Sequence, residues 1–583
     1  RNEPFVSRKF NLIIGNLPWT GLNKKTAPRD PENLQSGRQW LLEYCQEMKI
    51  PHLNPDQGIM YRVNDFASAD TIIAFIVSSR IFYQFGRGNK FWLSSFLEDN
   101  SIYMAINLSD IVGEKILFGG KNDKGGGDPK MPGSVIFYKP RPPDNDSYVT
   151  YICPKWYPSI KKRGEIIIHP PDIQNISLFL LRDNPHLWKI AFLGSQRDFE
   201  LIKKLIHNPT LKDVLNKIGI KDTKFGRGYE IGDMSLPAAK YIGYPNLEAK
   251  ENHKYYIDSK KLPKFQYEAL KLPKEEEMYK APLLIIRRSV EYGETRIAFA
   301  SEDTVYSSTY IGISFDGVDE RYVHRLNAIL NSKFTLYLAF MLSRELGWYR
   351  KLIEPSDWRE MPLPKSILNL EDERWDDVIT LENKLCKSYE SASPSEIKNW
   401  ENALFKSICN LYGLNEVERI IVDDMIDYTI DLFLNRKLKG KRRGIRPPTS
   451  NQLEKYANRL CNQLNSILES EGKTLNSTVY DIEDDSPLSV VEFKQVSQTT
   501  SNQGNSTKRI KIKGLEELLI KISKSLKDQI SERIYVWGHL KIYEGEHLYI
   551  IKPSEERFWS ESAALNDGDA VIREHMEAVD GAL

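Results

Sequence analysis

Four short runs of apolar and β-branched residues, Leu12–Gly15, Thr71–Ser78, Ile102–Asn107 and Ser134–Tyr138, fall within the first 143 residues. A strand apolar at nearly every position has no face to offer water, so it folds only where both faces of its sheet are covered. Helical patterns at Gln39–Met48 and Lys90–Glu98 stand between the runs and can supply that cover. The segment therefore reads as α/β, and Pro140, Pro142 and Pro143 punctuate its end.

At 583 residues and 41% hydrophobic content, the chain can pack roughly three or four domains. Lys and Arg number 81 against 80 Asp and Glu, so bulk charge selects no partner, and nucleic-acid contact must come from local patches. Cys45, Cys153, Cys386, Cys409 and Cys461 lie far apart, which argues against a zinc ribbon or disulfide framework and suits a reducing cytoplasm. No apolar run reaches the ~18 residues of a membrane span. The nine histidines show no pair at ligand spacing, so no metal is expected.

Residues 147–364 mix strand-like pieces (Gly164–His169, Pro282–Arg287, Arg296–Ala300, Tyr310–Ser314) with loops, then a helix pair over Val323–Ser343. Residues 366–475 carry apolar residues at three- and four-residue spacing and read as helical. Residues 476–512, rich in Ser, Thr, Gln and Asn over 484–508, read as a linker. A small α/β domain, 513–583, follows, with Tyr535–Trp537 and His547–Ile551 as strands.

The first strand runs into Asn16-Leu17-Pro18-Trp19, at the strand end where open α/β sheets bind ligands. An Asn side-chain oxygen and a neighbouring backbone carbonyl can together accept both protons of an exocyclic amine. Proline stiffens the loop, and an aromatic ring offers a stacking face. These parts suit a flipped-out adenine. Flipping costs a few kcal/mol, and one aromatic stack returns about 1–3 kcal/mol. Holding both N–H groups favours a pyramidal nitrogen whose lone pair can meet an electrophilic methyl group, with no strong base required.

The stretch resembles the Asn/Asp-Pro-Pro-aromatic motif of amino-group DNA methyltransferases, and looks most like adenine-N6 enzymes of the type IIG restriction–modification kind. The resemblance covers about the first 143 residues, where the order of strands and helices after the loop is similar. It implies that Asn16 and the Leu17 carbonyl bind the adenine amine, that Pro18 stiffens the loop and that Trp19 stacks on the base. Leu17 stands where the first proline is usual, which implies a less rigid loop. The fold implied is α/β, the C-terminal half of a Rossmann-like methyltransferase sheet. A mixed α+β target-recognition domain, a helical region and a small α/β tail follow.

The methyl donor, S-adenosylmethionine, should lie on a Gly-rich loop, Phe-x-Gly-x-Gly in this family, upstream of the motif. Only nine residues precede Phe10, so that loop is expected upstream of Arg1 or on a separate chain, and the fragment alone is expected to be inactive. Phe85-Gly86-Arg87-Gly88 and Phe225-Gly226-Arg227-Gly228 lack the required spacing and read as loop glycines.

The resemblance makes 147–364 the DNA reader. Leu326-Asn327-Ala328-Ile329-Leu330-Asn331-Ser332, followed by Met361-Pro362-Leu363-Pro364, looks like the end of such domains, where the Leu-Asn-Ser helix packs against the reading module. Arg287, Arg288 and Arg296, with Lys224, Arg227 and Tyr229, are candidates for phosphate or base-edge contact. From Arg436 to Arg446, seven of eleven residues are basic; Arg436, Lys437, Lys439, Lys441, Arg442 and Arg443 could neutralise several phosphates.

The expected function is site-specific methyl transfer from S-adenosylmethionine to adenine N6 in double-stranded DNA, in restriction–modification or phage defence, in a prokaryotic cytoplasm. The alternative is a non-catalytic DNA-binding or specificity subunit derived from a methyltransferase.

Overall fold

The first apolar run becomes strand β1 (Phe10–Asn16), paired in parallel with β2 (Ala67–Ser78). With β3 (Ser101–Asn107), β4 (Gly133–Lys139), β5 (Tyr148–Ile152) and β6 (Ile173–Ser177) they form one sheet in the order β1-β2-β4-β3-β5-β6. β1, β2, β3 and β5 run one way; β4, between β2 and β3, and β6 run the other. The computed structural model describes residues 9–19, 32–83, 92–111, 132–157, 165–232, 235–250, 253–290, 293–435, 443–483, 486–497, 507–525 and 539–580. It is a mixed α/β protein whose residues group into two units, 1–199 with 344–350 and 200–343 with 351–583.

Each of the four expected runs is a strand of the first unit. The proposed break at Pro140–Pro143 is instead a turn within the sheet: β5 pairs with β3 and buries Val149 and Tyr151, and β6 pairs with β5. Prolines end a strand, but they do not end a sheet whose next strand returns to it. On one face Ile73, Phe75, Val77 and Tyr138 are buried. Tyr138 meets Phe96 of α3 (Trp92–Asp99) edge-on at 5.2 Å and donates its hydroxyl to the Met60 carbonyl of α2 (Pro55–Arg62). A further helix, α1 (Glu32–Glu47), packs on α2, where Cys45 lies against Gly58. The opposite face is open at Leu12 (58% exposed), Ile14 (72%) and Ile72 (41%).

In the second unit, β7 (Phe225–Arg227), β8 (Tyr255–Tyr256), β9 (Leu283–Arg287), β10 (Ile297–Ala300) and β11 (Tyr310–Ser314) form a sheet in the order β8-β10-β9-β11-β7. The strand expected at 164–169 is not formed among its described residues, 165–169. Tyr229, Tyr241, Phe265, Tyr279, Tyr306 and Tyr310 build a core rich in edge-to-face rings. The expected helix pair is α4 (Glu320–Leu330) and α5 (Lys333–Leu342).

The asparagines of the Leu-Asn-Ser signature tie this sheet to the helices. Asn331 donates to the Ile297 carbonyl (2.9 Å) and accepts from the Ile297 amide (3.1 Å). Asn327 donates to the Tyr255 carbonyl (3.0 Å) and to Glu382 (2.6 Å) of α6 (Asp376–Ser388). Glu382 is fully buried, and His324 meets its other oxygen at 3.0 Å. That hydrogen bond holds the imidazole above its usual range despite burial.

Helices α7 (Pro394–Leu411), α8 (Glu416–Asp424) and α9 (Ser450–Leu468) continue the expected helical region. Of the stretch 476–512 expected as a linker, the described residues lie mostly in strands. β12 (Lys473–Ile482), β13 (Leu488–Ser497), β14 (Thr507–Ile512), β15 (Leu540–Glu544) and β16 (His547–Pro553) form a sheet in the order β14-β12-β13-β16-β15. Its central strand buries Val490, Val491 and Phe493 on alternate faces. Glu492 among them is satisfied by Tyr480, His547 and Tyr549. The Tyr535–Trp537 strand lies outside the described residues.

Gly312 of β11 faces the Tyr306 ring, and a Cβ there would overlap the Tyr306 hydroxyl, which donates to the Met278 carbonyl at 3.1 Å. Gly312→Ala is expected to destabilise the protein by about 1–3 kcal/mol, the usual cost of overpacking. A thermal melt checks this; an unchanged midpoint would show that Tyr306 yields freely.

Candidate functional site

β1, β2 and β3 are co-directional, so their carboxyl ends form one rim. Asn16 closes β1 in register with Ile76 of β2 and is exposed. Immediately beyond, the Leu17 amide donates to the Ile76 carbonyl at 3.1 Å, and the Trp19 indole N–H reaches the same oxygen at 3.4 Å. Leu17 has an N–H that a proline lacks. The rigidity a first proline would bring is here replaced by a backbone bond to β2. The structure thus brings Asn16, Leu17, Pro18 and Trp19 together in one anchored turn.

The rim rests on buried polar groups. Asp56, at the first turn of α2 and 1% exposed, accepts from the Ser78 amide (Oδ2, 3.1 Å) and the Gln57 amide (Oδ1, 2.9 Å). Burial pushes its carboxyl up to about 6, against those backbone N–H groups and Arg80. At the end of β3, Asn107 donates to Tyr83 (2.5 Å) and Tyr151 (2.6 Å) and accepts from the Ser109 amide and hydroxyl. Ser79 and Ser134 share a hydrogen bond of 2.6 Å beside it.

In the second unit, Glu354 joins two candidate arginines. It meets Arg288 at 2.6 Å and also pairs with Arg227, while Arg288 donates to the Ser308 carbonyl at 2.9 Å. Burial pushes Glu354 up, but the two guanidiniums outweigh it and hold the carboxyl below its usual range. Arg287 donates to Ser289, Arg296 pairs with Glu294 (2.6 Å) and Lys224 donates to the Asp316 carbonyl (2.8 Å). Tyr229 is buried and donates to Asn246. Arg443 pairs with Asp427 (2.6 Å), and its amide donates to Asp431. Arg436, Lys437, Lys439, Lys441 and Arg442 lie outside the described residues, as does Phe85-Gly86-Arg87-Gly88.

Asp56 and Glu354 escaped the sequence reading, because burial of a carboxylate is a tertiary fact. The one local signal at Glu354 was Glu-Pro-x-Asp, and Glu354 does form a reciprocal cap with Asp357. Among the described residues no glycine-rich turn leads from a strand of the first sheet into a helix. Among them, too, no cluster of metal-ligating side chains occurs and no helix is long and apolar enough to cross a membrane.

No family model and no curated protein matches the chain. Solved structures similar to it include the type IIL restriction-modification enzyme MmeI in complex with DNA, at 13% identity and a TM-score of 0.42, covering 72% of this chain and 57% of that one. The type IIG restriction endonuclease BpuSI is similar at 12% identity and 0.27, covering 71% and 55%. A DrdV–DNA complex is similar at 11% identity and 0.37, covering 68% and 46%. The chain spans about half the length of these structures. At such values function has to be argued from the residues.

Because its folded value is depressed, Glu354 contributes stability that is present above the unfolded glutamate value and is lost as pH falls through the folded one. Glu354→Gln, which keeps one acceptor oxygen but loses the charge, is expected to cost about 1–3 kcal/mol at neutral pH, by leaving one of the two guanidiniums without its acceptor. The gap between wild type and variant should close on acidification below the usual glutamate range. Denaturant melts across pH check this, and a gap constant with pH would remove Glu354 as its source.

Proposed function

We propose that the first unit is the acceptor side of an adenine-N6 DNA methyltransferase serving restriction–modification or phage defence. The second unit, in this reading, carries the residues that read double-stranded DNA. The observation that supports it most is the exposed Asn16 on a turn that Leu17 and Trp19 both anchor to the Ile76 carbonyl.

A target adenine flipped from the duplex would present its amine to the Asn16 side-chain oxygen and the Leu17 carbonyl, each accepting one N–H. The bound amine is then held pyramidal, with its lone pair clear of the ring. Trp19, its indole fixed by Ile76, offers the face on which the base stacks. S-adenosylmethionine is the methyl source this reading requires. It is proposed to be held by polypeptide beyond the described residues, on an upstream segment or a separate chain. The open apolar face at Leu12, Ile14 and Ile72 supports a further layer of protein there.

Leu17, standing where the motif's first proline is usual, favours a second reading, a DNA-binding or specificity subunit that retains half of a methyltransferase. The two part on Asn16. The protein together with its native upstream segment, incubated with labelled S-adenosylmethionine and mixed-sequence duplex DNA, is expected to place label on adenine N6. Asn16→Ala should reduce the rate by on the order of a hundredfold, as removal of one preorganised polar group does elsewhere. DNA binding without label, equal in both proteins, would select the second reading.

A further inference from the structure

Two residues beyond Ile76, β2 stops. Ser78 accepts from the Arg80 amide at 3.3 Å as the chain turns. Its own amide, at the end of the ladder with β4, is bound by Asp56 at 3.1 Å. Asp56 uses its other oxygen on the Gln57 amide, so both carboxylate oxygens hold backbone. Helix α2, which carries Asp56, is itself fixed by the Tyr138 hydroxyl on the Met60 carbonyl. A nearly inaccessible carboxylate is costly to keep where a neutral side chain could fill the space. An asparagine would match its shape but could accept through one oxygen only. The second acceptor is what the carboxylate adds, and it acts on the strand end that carries Ile76.

We propose that Asp56 is a positioning residue for the adenine pocket: by clamping the end of β2 it keeps the Ile76 carbonyl where the Leu17 amide and Trp19 indole bind it. The proposal rests on the methyltransferase reading. Asp56 touches neither base nor donor and acts through β2 and the turn. The titratable groups that face it are Cys45 from α1, whose thiol burial pushes up to about 11, and Arg80 from the turn after β2. With its folded value near 6, the clamp loses an acceptor within an accessible pH range.

The test uses the protein together with its native upstream segment, labelled S-adenosylmethionine and mixed-sequence duplex DNA, with amide hydrogen exchange followed at Leu17 and Ser78. Asp56→Asn is expected to fold, bind DNA with unchanged affinity and lose about tenfold in the rate of transfer at saturating DNA, the effect of one backbone hydrogen bond unmade. Exchange at Leu17 and Ser78 should quicken. The wild-type rate should fall as pH drops through about 6, and the variant should lack that limb. Met60→Leu, which disturbs the same helix but not the carboxylate, should keep the limb. A variant with wild-type rate, or with the acid limb intact, overturns the role of Asp56 alone. Wild-type protein that binds DNA and transfers no label overturns the reading and this proposal with it.

Discussion

Two donors from one turn, the Leu17 amide and the Trp19 indole, converge on the carbonyl of Ile76. That convergence depends on the parallel pairing of β1 with β2, because only the register placing Asn16 opposite Ile76 brings the turn to this oxygen. Slipping the register by one residue would send Asn16 to the opposite face and bury it beside Phe75. The apolar packing of Ile73, Phe75 and Val77 is therefore also what aims the amide. The usual motif stiffens such a loop through proline φ angles, whereas here a hydrogen bond to the neighbouring strand does so. A bond to a strand carries its rigidity only as far as the strand itself is held, which is why the groups under the end of β2 matter to the turn.

The same logic governs charge. Lys254 is almost wholly buried, and burial alone would push its ammonium down. Glu294 at 2.5 Å and Glu401 at 2.6 Å outweigh that and raise it. Arg227 and Arg288 share Glu354, and Arg443 is held by Asp427. Buried or half-buried ions survive only when paired or, like Asp56, held by hydrogen bonds. A guanidinium held on a carboxylate can still present its remaining N–H groups to a phosphate or a guanine edge, with less rotamer freedom left to lose. An arginine tethered in this way is a directional donor, and long-range attraction in salt must come from other charges.

The strands of the first sheet were legible because each contains a short apolar, β-branched run, although cover on both faces, which such runs imply, is not found over Leu12 and Ile14. The Asn16–Trp19 turn was legible because its residue types are chemically specific. The sheet's true extent was not. β5 and β6 are shorter, carry polar residues such as Thr150, Gln174 and Asn175, and follow prolines that look like a boundary. The β12–β14 region misled in the opposite direction. Polar composition around it suggested a linker, while Leu488-Ser-Val-Val-Glu-Phe buries both faces and satisfies its one acid through residues distant in sequence. Asn327 and Asn331 could be recognised as a signature, yet their partners, Tyr255, Glu382 and Ile297, could be found only in three dimensions. Composition reports what a segment is made of, and its pairing partners decide what it becomes.

Strand alternation places Leu12, Ile14 and Asn16 on one face of β1, beside Ile72, Ala74 and Ile76 of β2. This is the open face, where Leu12 and Ile14 are more than half exposed. The candidate amide and the uncovered apolar side chains therefore share one surface. An amide in contact with bulk water holds an amine weakly, since water competes for every N–H it accepts. Protein laid over Leu12 and Ile14 would remove that competition beside Asn16 while it hides the apolar strand. Under the methyltransferase reading the donor must also arrive on the side from which Asn16 presents the amine. Cover for the sheet, exclusion of water and delivery of the methyl group then become demands on a single added layer.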